Sequence, residues 1–223
     1  RSSGSKKRDR QKRRRIEKFG AVSLVTPETD EEKLGTLDIL MAQKSATFAR
    51  MGIANLFDRP GYREFYRDLA VNPEADGLIH VSHLAVGDTI AAANWGASFG
   101  GRYSYVLTSY DESTEAARFG PGMIHLMELM SHATGTGHTV FDFTIGDEGY
   151  KEQWCEIEVA LHDYVEPNTL IGWAGLGPRI VYLQIKRFIK QTPVVWRVFT
   201  RLRAARGLLS GACVVRARVR AFA

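Results

Sequence analysis

Between Leu78 and Tyr110, apolar and β-branched residues fall in three runs, LIHVSHLAV, TIAAANWGASF and RYSYVLTSY, joined at Gly87-Asp88 and Gly100-Gly101. Short β-rich runs separated by two-residue glycine turns predict three strands in hairpin succession. The period then changes. Met123, Leu126, Met127, Met130 and Ala133 recur at helical spacing, between Phe119-Gly120-Pro121-Gly122 and the breaker Gly135-Thr136-Gly137. Thr139–Phe143 reads as a strand again, Asp147–Trp154 as a short helix and Glu156–Val165 as a further strand. Upstream, Ala21–Val25 is a strand candidate ended by Pro27. Thr29 or Asp30 then caps a helix with acidic residues in its first turn, reaching to about Arg50. A second helix follows Pro60-Gly61, over Tyr62–Val71. Antiparallel strands followed by helix, strand, helix and strand predict an α/β (α+β) fold with a mixed, mainly antiparallel sheet flanked by helices.

Both ends depart from this pattern. Ser5–Phe19 (SKKRDRQKRRRIEKF) has neither Gly nor Pro and stops at Gly20, as a helix does, yet it is almost wholly polar. It is either a solvated helix or one held against an acidic surface such as the body of the protein. After Pro178 the chain reads IVYLQIKRFIK and then PVVWRVFTRLRAARGLL, two basic amphipathic tracts with Pro193 at the first turn of the second. Such helices either pack on a domain or lie on an anionic membrane surface. From Ser210 no period is evident.

Composition narrows the class. Of 223 residues, 44% are hydrophobic and 25% charged, which excludes wholesale disorder, collagen and coiled coil. No apolar run approaches the ~18 residues of a spanning helix. Cys155 and Cys213 are too few and too far apart for a disulfide framework or a zinc site, so reduced thiols and a cytoplasmic setting are expected. The opening Arg1-Ser2-Ser3-Gly4-Ser5 reads as interior sequence or an expression scar, not a signal peptide. The net charge of +5 conceals a segregation: residues 1–20 carry +8 and residues 167–223 carry +11 with no acid, while residues 21–166 carry −14. These three segments are the expected organisation: a basic helix, an acidic globular domain and a basic helical extension. An acidic body with basic arms suits an anionic surface or a polyanion better than uniform nucleic-acid binding.

Two stretches could carry chemistry. In Arg118-Phe119-Gly120-Pro121-Gly122, glycines before a helix allow main-chain N–H groups to approach an anion where the helix dipole favours one, and a diphosphate would fit; a plain turn is the alternative. In Phe141–Trp154 (FDFTIGDEGYKEQW), a strand releases into Gly146-Asp147-Glu148-Gly149, with Tyr150 and Lys151 beside its C-terminal end, where open sheets bind ligands. Tyr150 and Lys151 could donate protons and Asp147 or Glu148 accept one, although Asp147 and Lys151 also fit a surface i, i+4 pair and Asp142 a structural strand residue. His125, Glu128 and His132 share one face of the Met-rich helix and read as a solvated polar face; no metal site is expected. His80 and His83 fall on opposite faces of one strand.

In order, the basic helix, HLAVGDTIAAANWG, YVLTSYD, FGPGMIHLMELM and FDFTIGDEGYKEQW resemble the CelD-like acetyltransferase group of the GNAT superfamily, from about Ser5 to Trp154. The same superfamily holds the Fem-type peptidyltransferases, whose Phe-Lys or Tyr-Lys element is similar to Tyr150-Lys151. The resemblance implies acetyl-CoA as co-substrate, with its pyrophosphate at Arg118, Phe119, Gly120, Gly122 and Met123. The superfamily's basic residue one position earlier is Ala117 here. It further implies an N-acyltransferase acting on the amine of an amino sugar or envelope precursor, with Lys151, Tyr150, Asp147 and Glu148 in the active region. Two rival expectations are a Fem-like enzyme using aminoacyl-tRNA and a non-catalytic docking module of the same fold.

Overall fold

The computed structural model describes residues 3–146, 148–162, 164, 166, 168–192, 194–199 and 202. The chain divides into two compact units, Arg1–Thr47 with Asn55–Glu156, and Phe48–Ala54 with Ile157–Ala223. The first unit opens with α1 (Ser3–Ile16), β1 (Val22–Val25) and α2 (Asp30–Arg50), of which the last three residues are counted with the second unit. It continues through α3 (Tyr62–Val71), β2 (Ile79–Val86), β3 (Thr89–Phe99), β4 (Arg102–Tyr110), α4 (Pro121–Gly135) and β5 (Val140–Asp142). The second unit contains α5 (Leu170–Gln191).

Local signals start the helices where they are needed. At α2, Thr29 Oγ1 accepts from Glu32 N while Glu32 Oε2 accepts from Thr29 N at 3.2 Å, a reciprocal cap that satisfies two orphan donors. Thr29→Ala is expected to cost about 1 kcal/mol, read as a shift in urea midpoint at unchanged m-value.

The sheet runs β1-β2-β3-β4-β5, antiparallel except for the parallel β4–β5 pair. One face is covered by α1 and α4. There Ile16, Leu84, Val86, Ala92 and Ile124 make one cluster, and Tyr103, Tyr105, Leu126, Leu129 and Phe143 another. On the other face Trp95 meets Tyr66 of α3 edge-on at 5.1 Å, and α2 buries Leu37, Leu40 and Met41. The Gln43 side chain ties α2 to that face, donating to Ile90 O and accepting from Ser109 Oγ.

Of the two alternatives for the Ser5–Phe19 helix the structure takes the second, held against the body: Ile16 is fully buried, Asp9 is buried and Arg13 pairs with Glu128 of α4, so this polar helix roofs the core. Three other sequence expectations are corrected. The His125, Glu128 and His132 face is not a solvated one. His125 is fully buried, Glu128 meets Arg13, and His132 stacks on His80 at 4.7 Å, because this side of α4 lies against the sheet and α1 packs beside it. Glu156–Val165 forms no strand among its described residues; Ile157, Val159 and Leu161 are exposed, and the alternation that predicts a strand has found no ladder to join. The short helix at 147–154 shrinks to a 3-10 turn over Lys151–Gln153. The expectations for residues 203–223, including the unpatterned tail from Ser210, fall outside the described residues.

Candidate active site

The site is built where the sheet comes apart. β4 and β5 pair only over Arg102–Ser104 with Val140–Asp142. Immediately beyond, the β3–β4 register jumps: Gly96 faces Tyr105 and Trp95 faces Leu107, leaving Val106 as an extra residue on β4. A bulge of this kind bends its strand and increases its twist. β5 turns away in turn. Thr144 has φ +56°, the left-handed region that β-branched residues rarely occupy, held by its N–H donating to Asp142 Oδ1 at 2.7 Å. The two strands stay linked through Thr144 Oγ1 donating to Tyr105 O, and then diverge. Asp111 N donates to Ala91 O, so by strand alternation Tyr110 and Thr108 turn their main-chain N–H and C=O groups toward the opened edge.

The predicted phosphate turn stands at the end of this edge. Gly120 adopts φ +71° and caps α4, with Pro121 at the first helical position. The space beside Gly120 is open: a Cβ there would meet only the Lys12 ammonium and Met123 Cβ, at 3.8 and 4.0 Å. At Gly122 a Cβ would stand 3.4 Å from the Tyr110 ring, an ordinary contact, so the helix start lies directly beside β4. The Arg118 guanidinium lies 5.0 Å over the Phe119 ring and is exposed. Lys12, on α1, is a cation at this turn that sequence spacing could not reveal, because α1 reaches it only through the fold. Gly120 N–H donates to Ala117 O, Met123 N–H to Gly120 O, and Pro121 has no N–H, so the Gly122 N–H, the open space at Gly120 and two cations are what this turn offers a pyrophosphate.

On the β5 side, Lys151 is not presented to solvent. Its Nζ lies 2.8 Å from Glu148 Oε2 and 3.3 to 3.5 Å from the carbonyl oxygens of Thr144, Ile145 and Gly146. It ties the diverging loop into one shape. The Glu148 carboxylate rests on Gly146, where a Cβ would lie 2.5 Å from Oε2. Burial pushes the Glu148 pKa up, but the Lys151 hydrogen bond, its own main-chain N–H and the charges of Lys151 and Lys44 together hold it below the usual carboxylate range. Lys44, from α2, is the second cation of this cluster; burial lowers its pKa against the pull of Glu148. Three residues along α2, Thr47 donates to Glu112 at the end of β4.

Tyr150 packs with Met123, Phe141 and Trp154 on the cluster that contains Tyr105 and Phe143. Its phenol is pushed up to about 12, first by burial and then by the Glu148 charge, so it stays protonated at neutral pH. The structure thus sets Met123 and Tyr150 on one apolar cluster that includes Tyr105 of β4, and joins Lys151 to Glu148, whose charge reaches Tyr150. Arg118 is exposed beside the turn, Phe119 packs on the Ile16 cluster, and Asp147 lies outside the described residues.

A family model described as an acetyltransferase (GNAT) domain matches residues 3–152, two-thirds of the chain. The chain belongs to the GNAT acetyltransferase family. It is therefore an acyltransferase, of a family whose acetyl donor is acetyl-CoA. Solved structures similar to it include two aminoglycoside acetyltransferases from uncultured soil metagenomic samples. One, in complex with sisomicin, has 15% identity over 68% of this chain and 99% of that chain, with a TM-score of 0.48. The other has 14% identity over 66% and 98%, with a TM-score of 0.45. A possible acetyltransferase from Clostridium difficile 630 gives 9% identity over 65% and 99%, with a TM-score of 0.44. No curated protein sequence matches the chain.

Proposed function

We propose that this GNAT domain transfers the acetyl group of acetyl-CoA to the primary amine of a small, cationic, polar acceptor such as an amino sugar. The observation that carries this reading is the parting of β4 and β5 after Ser104 and Asp142, with the α4 start at one end and the Glu148–Lys151 loop alongside. Acetyl-CoA supplies an activated acyl group on a sulfur leaving group. The chain's own residues supply the rest. Gly120, Gly122, Lys12 and Arg118 would hold the pyrophosphate, and the open edge at Thr108 and Tyr110 would pair with the amide-bearing arm. Main-chain N–H groups of that edge are the donors available to a developing oxyanion, where one donor is typically worth about 100- to 1,000-fold in rate.

Tyr150, kept neutral by burial, is suited to give a proton to the departing thiolate. Glu148, kept ionised, is suited to receive the amine proton directly or through water, and Lys151 fixes where that carboxylate points. The acceptor class rests on charge: residues 21–166 carry −14, and Glu112 and Glu148 border the α2 turn at Lys44–Thr47. A cationic amine is drawn to such a surface, and one with an apolar tail gains nothing from it.

Isothermal titration of the full chain with acetyl-CoA tests the donor, and thiol release across a panel of amines tests the acceptor. Binding is expected, with Lys12→Ala raising Kd about threefold to tenfold and the difference shrinking at high salt. A folded chain that gives no binding heat removes the donor assignment. Thiol release with simple alkylamines but not with amino sugars removes the acceptor class.

A further inference from the structure

The second unit carries a feature that acetyl transfer does not use. α5 extends over 22 residues, and Leu170, Ile171, Val181, Tyr182, Ile185 and Phe188 are each more than half exposed along it. At 3.6 residues per turn these six fall on one arc of roughly 120°. Arg179 and Lys186 lie just beyond the Tyr182 edge of that arc, where long cationic side chains can keep their stems on apolar surface and their heads in water. Beyond the helix, Val194, Val198 and Leu202 are exposed in the same manner. Residues 167–223 hold eleven Lys and Arg and no acidic residue.

We infer that α5 and the segment after it form an interfacial anchor that lays this protein on an anionic lipid bilayer. Three properties select that occupant. No described helix is long and apolar enough to cross a membrane, and α5 is interrupted by Gly175, Gly177, Pro178 and Arg179, so an in-plane position is the one left to a lipid-binding helix. Association of two copies through this face would bring two segments of +11 together. A bilayer carrying acidic headgroups takes up both the arc and its one-signed border, at about 1 kcal/mol for each basic residue near the surface.

Co-sedimentation of the full chain with extruded vesicles tests this, using phosphatidylcholine alone and phosphatidylcholine with phosphatidylglycerol in a two-to-one ratio. Partitioning is expected to be about tenfold or more stronger on the anionic vesicles and to weaken with added salt. The double substitution Ile185→Asp and Phe188→Asp should abolish it. Because both positions lie in the second unit, the melting temperature of the first and its acetyl-CoA titration should not move, which separates loss of the anchor from loss of the fold or the donor site. The inference fails if the chain stays in the supernatant with anionic vesicles, or if the double variant still sediments with them. It also fails if α5 drives concentration-dependent self-association that anionic vesicles do not compete away.

Discussion

Acidification from neutral pH to about pH 4 is expected to destabilise the sheet unit by on the order of 3 kcal/mol for each of two buried histidines. Burial, then the nearby His132 and His138, depresses His80 to about 4; burial, then His83 and His80, depresses His125 to about 3. Hydrogen bonding agrees for His80. Asn94 Nδ2 donates to the Tyr103 hydroxyl oxygen at 2.8 Å, leaving the phenol proton to point at His80 Nδ1, also at 2.8 Å, which must then be an unprotonated acceptor. Neither ring nitrogen of His125 has a hydrogen-bond partner among the described residues.

The sign follows from which state binds protons first. Both folded pKa values lie below the unfolded value near 6.5, so the unfolded chain takes up protons earlier as pH falls. Stability is complete above that value and is lost downward toward about 4, a window the depressed carboxylates Glu32 and Glu148 largely do not reach. Urea midpoints followed by tryptophan fluorescence should fall steeply across this window. His125→Leu should flatten the slope, with His80 and the more weakly depressed His83 and His132 supplying what remains, and midpoints that stay level in the parent protein would refute the assignment.

Lys151→Ala is expected to lower kcat/KM by about 10- to 100-fold with the fold retained. The ammonium holds three loop carbonyls and the Glu148 carboxylate, so its removal releases the shape of the loop as well as one charge. A second consequence distinguishes positioning from mere structure. With Lys151 gone, burial still raises the Glu148 pKa while most of what lowers it has vanished, so the acidic limb of the pH–rate profile should move to higher pH. Lys151→Arg keeps the charge and should leave that limb in place even where kcat/KM falls. An unchanged profile and rate in Lys151→Ala would remove the pair from the mechanism.

Helix limits were readable in the sequence wherever a local cap sets them. Thr29 with Glu32 marks the start of α2, and Pro60-Gly61 comes just before α3 at Tyr62. The hairpin succession was equally readable, because glycine pairs punctuate it. What escaped has its cause in other parts of the chain. The Val106 bulge is a property of the β3–β4 register, not of any residue in the run RYSYVLTSY. Lys44 and Lys12 look like ordinary solvated lysines until α2 and α1 are packed. His125 has the spacing of a surface residue but shares the α4 face of His132, which stacks on His80, so it is the sheet at β2 that buries it. Conversely, EIEVALHDYV alternates as a strand does, but alternation without an edge to pair with makes no sheet.

One helix fastens two things at once. Ile16 plugs the hydrophobic interior and Lys12, a single turn earlier, attends the bend at Gly120. Any event that peels this arm from the body, whether proteolysis, a bulky fusion at its head or screening of the Arg13–Glu128 contact, would therefore loosen the interior and weaken the grip on the nucleotide end of the donor together. Affinity for donor and resistance to unfolding should rise and fall as one quantity in variants of this arm, a linkage that no substitution confined to the glycine bend would reproduce.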